Sequence, residues 1–288
     1  MRALDKLKEA TEFLKRYGIE DAGREAEIIV SHCIGVNRTV LYRDNPEIRE
    51  EEIERIDELL KRRSKKEPLQ YILGYVDFYG LKIKVGKGVL IPRPETELLA
   101  EEAIKAVKRE ALSVMRILDL CTGSGCLALA LAREFPDAKV YGTDTSENAI
   151  RHAEENAEFN CINNVTFLEG NLFDPVADLT ACHPSPVTFD LIVSNPPYIK
   201  RDDIKNLQPE VKDWEPVEAL AGGENGLDYY RAIIPEAKAY LKEGGDLILE
   251  IGAGQSREVR RIAEEAGFIN ISLIKDYAGI ERIFVAKI

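Results

Sequence analysis

The sequence predicts an α/β protein with two parts: a small N-terminal helical bundle, followed by an open, mostly parallel sheet of seven strands with helices on both faces. Three observations predict this fold class. Residues 1–67 show only helical periodicity, residues 68–94 alternate apolar and polar side chains between glycines, and from residue 116 onward short apolar strands alternate with helices. We therefore expect a helical domain at 1–67, a β-hairpin linker at 68–94 and a sheet domain at 95–288.

The helical domain is predicted from three apolar stripes that recur every three or four residues. Gly18 follows the first stripe as a helix stop, and the basic run KRRSKK at 61–66 closes the last helix. Its cations either complement the negative C-terminal end of that helix or form a patch for a partner, and the first reading is favoured. The stripes are Leu4, Leu7, Phe13, Leu14 and Tyr17; Ala22, Ala26, Ile29, Val30 and Cys33; and Ile53, Ile56, Leu59 and Leu60.

Glycine and proline residues indicate where strands and helices of the linker and the sheet domain begin and end. In the stretch that begins at Pro68, glycines separate alternating apolar residues, as in a hairpin, and Pro92 and Pro94 precede a helix that starts near Glu95. Seven apolar runs then alternate with helical segments, which is typical of a doubly wound sheet. The predicted strands are RILDLC (116–121), AKVYGTD (138–144), NVTFL (164–168), FDLIVS (189–194), DLILEI (246–251), NISLI (270–274) and RIFVA (282–286).

The composition predicts a soluble, cytoplasmic protein. Hydrophobic residues make up 45% of the 288 residues, enough for a sizeable core, and neither a secretory leader nor a bilayer-spanning apolar run is evident. The net charge of −12 is uneven: residues 1–67 carry 15 Lys and Arg against 16 Asp and Glu, whereas residues 68–288 carry 24 against 35. This acidic balance disfavours a nucleic-acid substrate, because a protein that holds a phosphate backbone usually presents a basic face.

The cysteines and histidines predict neither a disulfide framework nor a metal site. The five cysteines are odd in number and form no CxxC pair, and the three histidines lie far from one another. Cys182 and His183 look like half a metal site, but they stand in the stretch ACHPSPV, which is typical of a surface loop. We therefore expect no metal.

A glycine-rich turn between the first predicted strand and the next helix predicts a ligand that contains a nucleoside. Gly123, Gly125 and Ala128 satisfy the pattern GxGxxA, and Asp144 ends the next strand, where a carboxylate can accept hydrogen bonds from ribose hydroxyls. An NAD-dependent oxidoreductase is therefore a serious alternative at this point. A tight turn at the glycines and a helix cap at Asp144 would give these residues purely structural roles.

Asp119 favours a cationic cofactor. It stands at the strand end just before the glycines, where it would repel a pyrophosphate but attract the ammonium group of S-adenosylmethionine, which also carries a sulfonium charge. After the third strand, Asn171 stands where it can hydrogen-bond the edge of an adenine and Leu172 where it can cover the ring face. Asn171 alone would pass for a turn residue, but polar residues at successive strand ends favour a ligand site.

The motif SNPPY ends the strand FDLIVS and predicts a rigid clamp for a planar amide or amine. Pro196 and Pro197 fix the backbone and remove two donors. The Asn195 side-chain carbonyl and the Pro196 backbone carbonyl are two acceptors that can hold an NH₂ group, while Tyr198 adds an aromatic face. The nitrogen lone pair of an amide is delocalised, and hydrogen bonds from both N–H groups to these two acceptors are expected to make it available for methyl transfer. A rigid exit from a core strand is the structural alternative.

Six motifs together make the sequence closely resemble the protein-glutamine methyltransferases that modify peptide chain release factors. They are PLQYILG (68–74), IPRPETE (91–97), DLCTGSG (119–125), SNPPYI (194–199), WEPVEALAGGENGLDYYR (214–231) and EIGAGQ (250–255). The resemblance covers nearly the whole chain. It implies a Rossmann-like S-adenosylmethionine-dependent methyltransferase domain that methylates the side-chain amide nitrogen of the glutamine in the Gly-Gly-Gln motif of class 1 release factors, modulating translation termination. The spent cofactor would be S-adenosylhomocysteine.

The resemblance also implies roles for individual residues. Carried across by motif, the cofactor contacts are Cys121, Thr122, Gly123, Ser124, Gly125 and Asp144, with Leu172 beside the adenine and Asn195, Pro196, Pro197 and Tyr198 as the glutamine clamp. With Asp119 and Asn171, and with Asn195 touching cofactor as well as substrate, these form the predicted site. Cys121 departs from the family pattern, because many members have glycine there. Arg93 stays outside the predicted site, since it could equally face the cleft or pair with Glu95 or Glu97.

The N-terminal helices are expected to help bind the release factor, because one glutamine in a glycine loop carries too little information for selection. We expect a monomer that acts on a protein and on neither nucleic acid nor membrane. Three alternatives stay open: an amino-methylase of DNA, RNA or another protein, which the NPPY turn alone would fit; an NAD-dependent oxidoreductase; and a binding protein that keeps the fold without catalysis.

Overall fold

The computed structural model describes residues 1–109, 115–181 and 187–288 of the chain. The chain forms two compact units: one comprises Met1–Tyr75 together with Gln208–Trp214, and the other comprises Val76–Leu207 together with Glu215–Ile288. A short segment late in the chain therefore belongs to the helical unit. In the described part of the chain, none of the helices combines the length and apolar character needed to cross a membrane.

The first unit is helical, and the predicted apolar stripes supply much of its core. Leu14, Ala26, Ile29 and Ile56 are completely buried there. Its helices are α1 (Ala3–Arg16), α2 (Ala22–Ile34), α3 (Arg38–Asp44), α4 (Glu50–Ser64), α5 (Leu69–Leu73) and, from the later segment, α10 (Pro209–Lys212).

A buried arginine at the end of α4 joins three parts of the helical unit. The Arg63 guanidinium lies 2.5 Å from the Glu25 carboxylate on α2 and 3.0 Å from the Glu210 carboxylate on α10. Its side chain is only 7% exposed, so two carboxylates compensate a charge that water hardly reaches. Part of the basic run at 61–66 thus serves the unit's own structure.

The hairpin is shorter than the predicted linker. It consists of β1 (Tyr75–Phe78) and β2 (Leu81–Lys84). Residues just before it form α5 instead, which follows Pro68 and is capped at its C-terminus by Gly74, whose φ of 84° suits glycine.

The second unit confirms the predicted fold class, an α/β fold with a seven-stranded, mostly parallel sheet. The strand order is β5-β4-β3-β6-β7-β9-β8, in which β3 to β7 pair in parallel and β9 pairs antiparallel with β7 and β8. Its strands are β3 (Arg116–Leu120), β4 (Lys139–Asp144), β5 (Val165–Glu169), β6 (Phe189–Ser194), β7 (Leu241–Glu250), β8 (Ile269–Lys275) and β9 (Glu281–Lys287). Its helices are α6 (Pro94–Arg109), α7 (Cys126–Glu134), α8 (Glu147–Phe159), α9 (Asp174–Ala181), α11 (Asp228–Tyr240) and α12 (Ser256–Glu265).

The alternation of side chains along β3 places a carboxylate beside α7. Leu118 and Leu120 enter the core cluster that includes Tyr230 and Ile233 of α11. Asp119 lies between them in sequence and therefore points to the opposite face. The sequence of strand β3 thus buries its two leucines on one side of the sheet and leaves its single acid on the other.

Candidate active site

The carboxyl ends of β3, β4 and β6 border a cavity of about 310 Å³. Because β4 and β6 flank β3 on opposite sides, successive connections diverge here and open a crevice, the usual ligand position in such sheets. The lining residues include most of the predicted site: Asp119, Cys121, Thr122, Gly123, Ser124, Asp144, Asn171, Leu172, Asn195 and Pro197. Gly125, Pro196 and Tyr198 are not among the lining residues.

The loop between β3 and α7 contains three residues with left-handed backbone. Cys121, Gly123 and Gly125 have φ angles of 58°, 55° and 78°. This conformation suits glycine, whereas a residue with a Cβ is strained by about 1–2 kcal/mol, which is why cysteine at 121 is an unusual choice. A Cβ at Gly125 would also lie 2.9 Å from the Cβ of Ala153 and 3.0 Å from the Phe167 ring. Gly125 therefore permits close packing of the loop rather than lining the cavity.

Asp119 lines the cavity with a carboxylate that is 1% exposed. Its Oδ2 accepts hydrogen bonds from the Thr122 hydroxyl at 2.6 Å and from the Ala128 backbone N–H at 3.2 Å. Burial raises the pKa of Asp119 to about 7, although both hydrogen bonds oppose the rise. Neither of these bonds uses Oδ1, so the carboxylate can still interact with a ligand.

Asp144 links the glycine loop to the start of α8. Its Oδ2 accepts the Gly123 N–H at 2.9 Å and its Oδ1 accepts the Ser146 N–H at 2.9 Å, while the Ser146 hydroxyl caps α8 by accepting the Ala149 N–H. Burial raises the pKa of Asp144, and the backbone hydrogen bonds oppose this. Each carboxylate oxygen has about two acceptor positions, so the structural bonds leave room for hydroxyl groups of a ligand.

The loop after β5 brings one polar and one apolar side chain to the cavity. Leu172 is buried with a φ of 45°, and its carbonyl accepts the Thr143 hydroxyl at 2.9 Å. Asn171 is exposed, and its backbone carbonyl accepts the Asp174 N–H at the start of α9. The fixed backbone around both residues holds these side chains beside the cavity.

The NPPY turn is held by two later segments of the chain. The Gln255 side chain donates through Nε2 to the carbonyl of Tyr198 at 2.9 Å and to that of Gly226 at 3.1 Å. Gly222 passes so close that a Cβ there would lie 2.7 Å from the Pro197 carbonyl oxygen. The motifs around residues 222–226 and 255 thus fix the position of the turn.

A chain of hydrogen bonds joins the two polar side chains of the turn through Thr96 and Glu250. Asn195 donates through Nδ2 to Thr96 Oγ1 at 3.0 Å, and the Thr96 hydroxyl donates to Glu250 Oε2 at 2.7 Å. The Tyr198 hydroxyl donates to Glu250 Oε1 at 3.1 Å. This bond directs the NH₂ end of the Asn195 side chain toward Thr96, and the carbonyl oxygen, which only accepts hydrogen bonds, forms the other end of the amide.

Glu250 is the buried centre of this chain of hydrogen bonds, with 1% of its surface exposed. Burial raises its pKa to about 7; the bonds from Thr96 and Tyr198 and the charge of Arg282 oppose the rise, and the charge of Glu95 adds to it. Burial and the nearby Glu250 also raise the pKa of Tyr198. The Tyr198 phenol therefore stays protonated at neutral pH and can donate its hydrogen bond.

Thr96 and Glu250 are site residues that the sequence did not predict. Thr96 lies in the first turn of α6 and Glu250 ends β7, 154 residues later. Both stand in motifs that carried the family resemblance, IPRPETE and EIGAGQ, yet no local pattern relates one to the other. The sequence feature that could have identified Glu250 is its position at the carboxyl end of a predicted strand, because polar residues at the ends of other strands were assigned to the site.

Arg93 pairs with a partner that the sequence did not suggest. Its Nη2 lies 2.6 Å from Glu215 Oε1 and 2.7 Å from Oε2, and the Glu215 side chain is 1% exposed. Glu97 instead accepts the Tyr79 N–H at 2.7 Å. Arg93 is not among the residues that line the cavity.

Cys182 and His183, considered above as half a metal site, lie outside the described residues. Within residues 1–109, 115–181 and 187–288, no group of three His, Cys, Asp or Glu side chains is arranged to hold a metal ion. Cys121 and Cys126, which both line the cavity, are free thiols. Burial is the main cause that raises the pKa of each, which disfavours the reactive thiolate.

Comparison with known proteins gives matches to both parts of the chain. Residues 5–74 match a family model described as the PrmC N-terminal domain, and residues 112–250 match one described as a methyltransferase domain. A release factor glutamine methyltransferase from Thermodesulfovibrio yellowstonii is 47% identical over 288 residues, which is 100% of this chain and 98% of that protein. One from Geobacter sulfurreducens is 43% identical over 278 residues, 96% of this chain and 93% of that protein.

Solved structures of methyltransferases share the fold. A methyltransferase from Pyrococcus furiosus superposes with a TM-score of 0.52 at 21% identity, over 72% of this chain and 89% of that one. The catalytic domain of human Mettl16, in complex with an RNA hairpin, gives a TM-score of 0.55 at 15% identity, over 80% and 81%. At these identities the structures show a common fold and no more.

Proposed function

We propose a reaction for this chain from the premise that it belongs to the family of release factor glutamine methyltransferases. The reaction is transfer of a methyl group from S-adenosylmethionine to the side-chain amide nitrogen of a glutamine in a release factor. We place this glutamine in the Gly-Gly-Gln motif of a class 1 factor, as the sequence resemblance implies, so that the modification modulates translation termination.

The residues around the cavity fit S-adenosylmethionine, which when bound supplies a methyl group activated by a sulfonium charge. Asp119 offers a poorly hydrated carboxylate to the cofactor's ammonium group, which is the strongest argument for a cationic ligand. Asp144 offers free acceptor positions to ribose hydroxyls. Asn171 and Leu172 offer a polar side chain and an apolar one to the adenine, and the chain between Cys121 and Gly125 forms the adjoining wall.

The NPPY turn is proposed to bind the glutamine amide, and the orientation of Asn195 is the observation that carries this proposal. Its NH₂ group is bound by Thr96, so its carbonyl oxygen can accept one N–H of the substrate amide. The backbone carbonyl of Pro196 is proposed as the second acceptor, and Tyr198 as the aromatic neighbour. Two acceptors on a rigid turn restrain the nitrogen and stabilise the positive charge that develops on it during transfer.

The first experiment distinguishes the acceptors. The chain is incubated with methyl-labelled S-adenosylmethionine and, separately, a class 1 release factor, the same factor with its Gly-Gly-Gln glutamine replaced by alanine, and duplex DNA. Label on the unaltered factor alone supports both the chemistry and the site. Label on DNA would keep the amide or amine clamp and overturn the substrate, and label on none of the three would overturn the proposal.

Replacing Asn195 with alanine tests the clamp. We expect Asn195→Ala to lower kcat about 100-fold, the scale of removing one preorganised polar contact, with much less effect on cofactor affinity. The measurement is steady-state methylation of the release factor, with cofactor binding followed by calorimetry. Asn163→Ala is the matched control, because Asn163 is exposed and lies in the turn before β5, away from the cavity lining. Near-normal turnover of Asn195→Ala would exclude the clamp.

A further inference from the structure

The side chain of Asn195 could present either of its two ends to a substrate, and only one of them suits the proposed reaction. An amide oxygen accepts the N–H of a substrate amide, whereas an NH₂ group would oppose another donor. The geometry points to Thr96 and Glu250 as positioning residues for methyl transfer: through the Thr96 hydroxyl, the Glu250 carboxylate holds the Asn195 amide with its oxygen toward the acceptor. This inference rests on the proposed function.

The protons available on Thr96 and Glu250 determine which group donates in each of the two hydrogen bonds that link Asn195 to Glu250. Thr96 has one hydroxyl proton, and at 2.7 Å from Glu250 Oε2 it donates that proton to the carboxylate, which has none to give when ionised. The Thr96 oxygen then faces Asn195 only as an acceptor, and only the NH₂ end of Asn195 can satisfy it at 3.0 Å. The orientation of the amide is thus determined by the charge state of Glu250, two hydrogen bonds away.

The same carboxylate fixes the other polar side chain of the turn. Glu250 Oε1 accepts the Tyr198 hydroxyl at 3.1 Å, so one buried group orients both Asn195 and Tyr198. The position of the carboxylate is itself fixed, because the Glu250 backbone carbonyl accepts the Tyr230 hydroxyl at 3.1 Å. The arrangement leaves the ionised carboxylate with donors on both oxygens, which is the requirement for keeping a buried charge.

Protonation of Glu250 reverses the first two bonds. A proton on Oε2 can be donated to the Thr96 oxygen, and the Thr96 proton is then free to point at Asn195, which favours the opposite orientation of the amide. The pKa of Glu250 is about 7, with Arg282 on β9 and the donors Thr96 and Tyr198 favouring ionisation, and burial and Glu95 on α6 opposing it. The fraction of molecules with the productive orientation therefore increases as the pH rises through about 7.

The test compares single-turnover methylation of a release factor between pH 6.0 and 8.5, with the chain in excess over the factor and labelled cofactor at a concentration that saturates the chain at every pH, so that the pH dependence of cofactor binding through Asp119 does not enter the rate. The wild-type rate should rise with a midpoint near pH 7. Thr96→Val keeps the shape of the side chain without its hydroxyl, and we expect a rate about tenfold lower that depends little on pH. Thr96→Ser restores the hydroxyl and should lie closer to the wild type in both respects. Binding constants for cofactor and release factor should stay within about twofold in both variants, a change of less than 0.5 kcal/mol.

Thr166→Val is the matched control, because Thr166 is an exposed residue of β5 outside the cavity lining. A Thr96→Val variant that keeps both the wild-type rate and its pH profile overturns the inference, and so does an equal loss in Thr96→Ser.

A second readout does not require activity: the side-chain NH₂ resonances of Asn195, assigned by comparison with Asn195→Ala, should shift in Thr96→Val but not in Thr166→Val. Unshifted resonances overturn the inference. A wild-type chain that transfers no label to the release factor contradicts the proposed function instead, and this spectrum still decides the orientation.

Discussion

At the scale of single residues, Asp119 is proposed as a cofactor contact because its buried carboxylate lies in an environment that is unfavourable for a negative charge. A carboxylate with 1% exposure keeps two hydrogen-bond donors on Oδ2, yet its pKa stays at about 7 because these donors do not replace the lost hydration. A cation in the cavity would make the ionised form favourable again. The proposed position of the cofactor beside Asp119 therefore predicts that cofactor affinity and the protonation of Asp119 are coupled.

This coupling can be measured as proton release. At pH 6.0 Asp119 is largely protonated in the free chain, so binding of S-adenosylmethionine should release a proton, and affinity should increase from pH 6.0 to 8.0. Calorimetry in two buffers with different ionisation enthalpies measures the release. Asp119→Asn should bind about tenfold more weakly or worse and release much less, whereas Asp137→Asn, at an exposed site, should match the wild type. Equal release by the wild type and Asp119→Asn would contradict the assignment.

At the scale of elements, the loop between β3 and α7 is limited by packing as much as by backbone conformation. Gly125 and Gly244 have the same φ of 78°, but a Cβ at Gly125 would meet Ala153 and Phe167 at 2.9 Å and 3.0 Å, whereas nothing lies within 4 Å of one at Gly244. Comparing alanine substitutions at these two glycines therefore separates the cost of backbone strain, which both have, from the cost of steric overlap, which only Gly125 has.

We expect Gly125→Ala to lower the free energy of unfolding by about 1–3 kcal/mol more than Gly244→Ala, which has only the backbone strain of about 1–2 kcal/mol. Urea unfolding of both variants gives the comparison. Gly125→Ala should also weaken cofactor binding, because the overlap displaces the loop that carries Thr122 and Gly123, and Gly244→Ala should not. Equal destabilisation by the two substitutions would show that packing behind the loop is not limiting.

The same elements show what the sequence can predict about this protein. The strands of the sheet were predictable because each is a short apolar run followed by a turn signal, and the positions of Asp119, Asp144 and Asn195 at strand ends followed directly. The Thr96–Glu250 contact was not predictable, since it depends on the packing of α6 against β7 across 154 residues. Arg93 shows the same limit: its nearest acids in sequence were the obvious partners, and Glu215, 122 residues away, is the actual one.

At the scale of the whole molecule, all residues proposed to bind the cofactor and the amide belong to the second unit, and we propose that the helical unit selects the protein substrate. Residues 5–74 of this unit match the N-terminal domain model of the family. Testing it by truncation needs care, because removal of residues 1–67 also removes Arg63 and leaves the Glu210 carboxylate without that partner.

We therefore pair the truncation with a substitution. A chain that lacks residues 1–67 and carries Glu210→Gln should show a strongly raised KM for the release factor, because the selecting surface is gone, while its cofactor Kd remains within about twofold. Methylation kinetics and calorimetry supply the two numbers, and full-length Glu210→Gln controls for the substitution. An unchanged KM would mean that the catalytic unit selects its substrate by itself.

Residues 208–214 belong to the helical unit, so this unit cannot be exchanged between related proteins by a single crossover in the gene. A crossover between related genes at residue 75 would combine the first five helices of one parent with α10 of the other, and Arg63 would face a Glu210 position inherited separately. Two stretches of sequence must therefore be exchanged together to transplant the helical unit. An engineer who exchanges this unit to change substrate preference must replace both residues 1–75 and residues 208–214, because the unit is compact in space but is encoded by two separate segments of the gene.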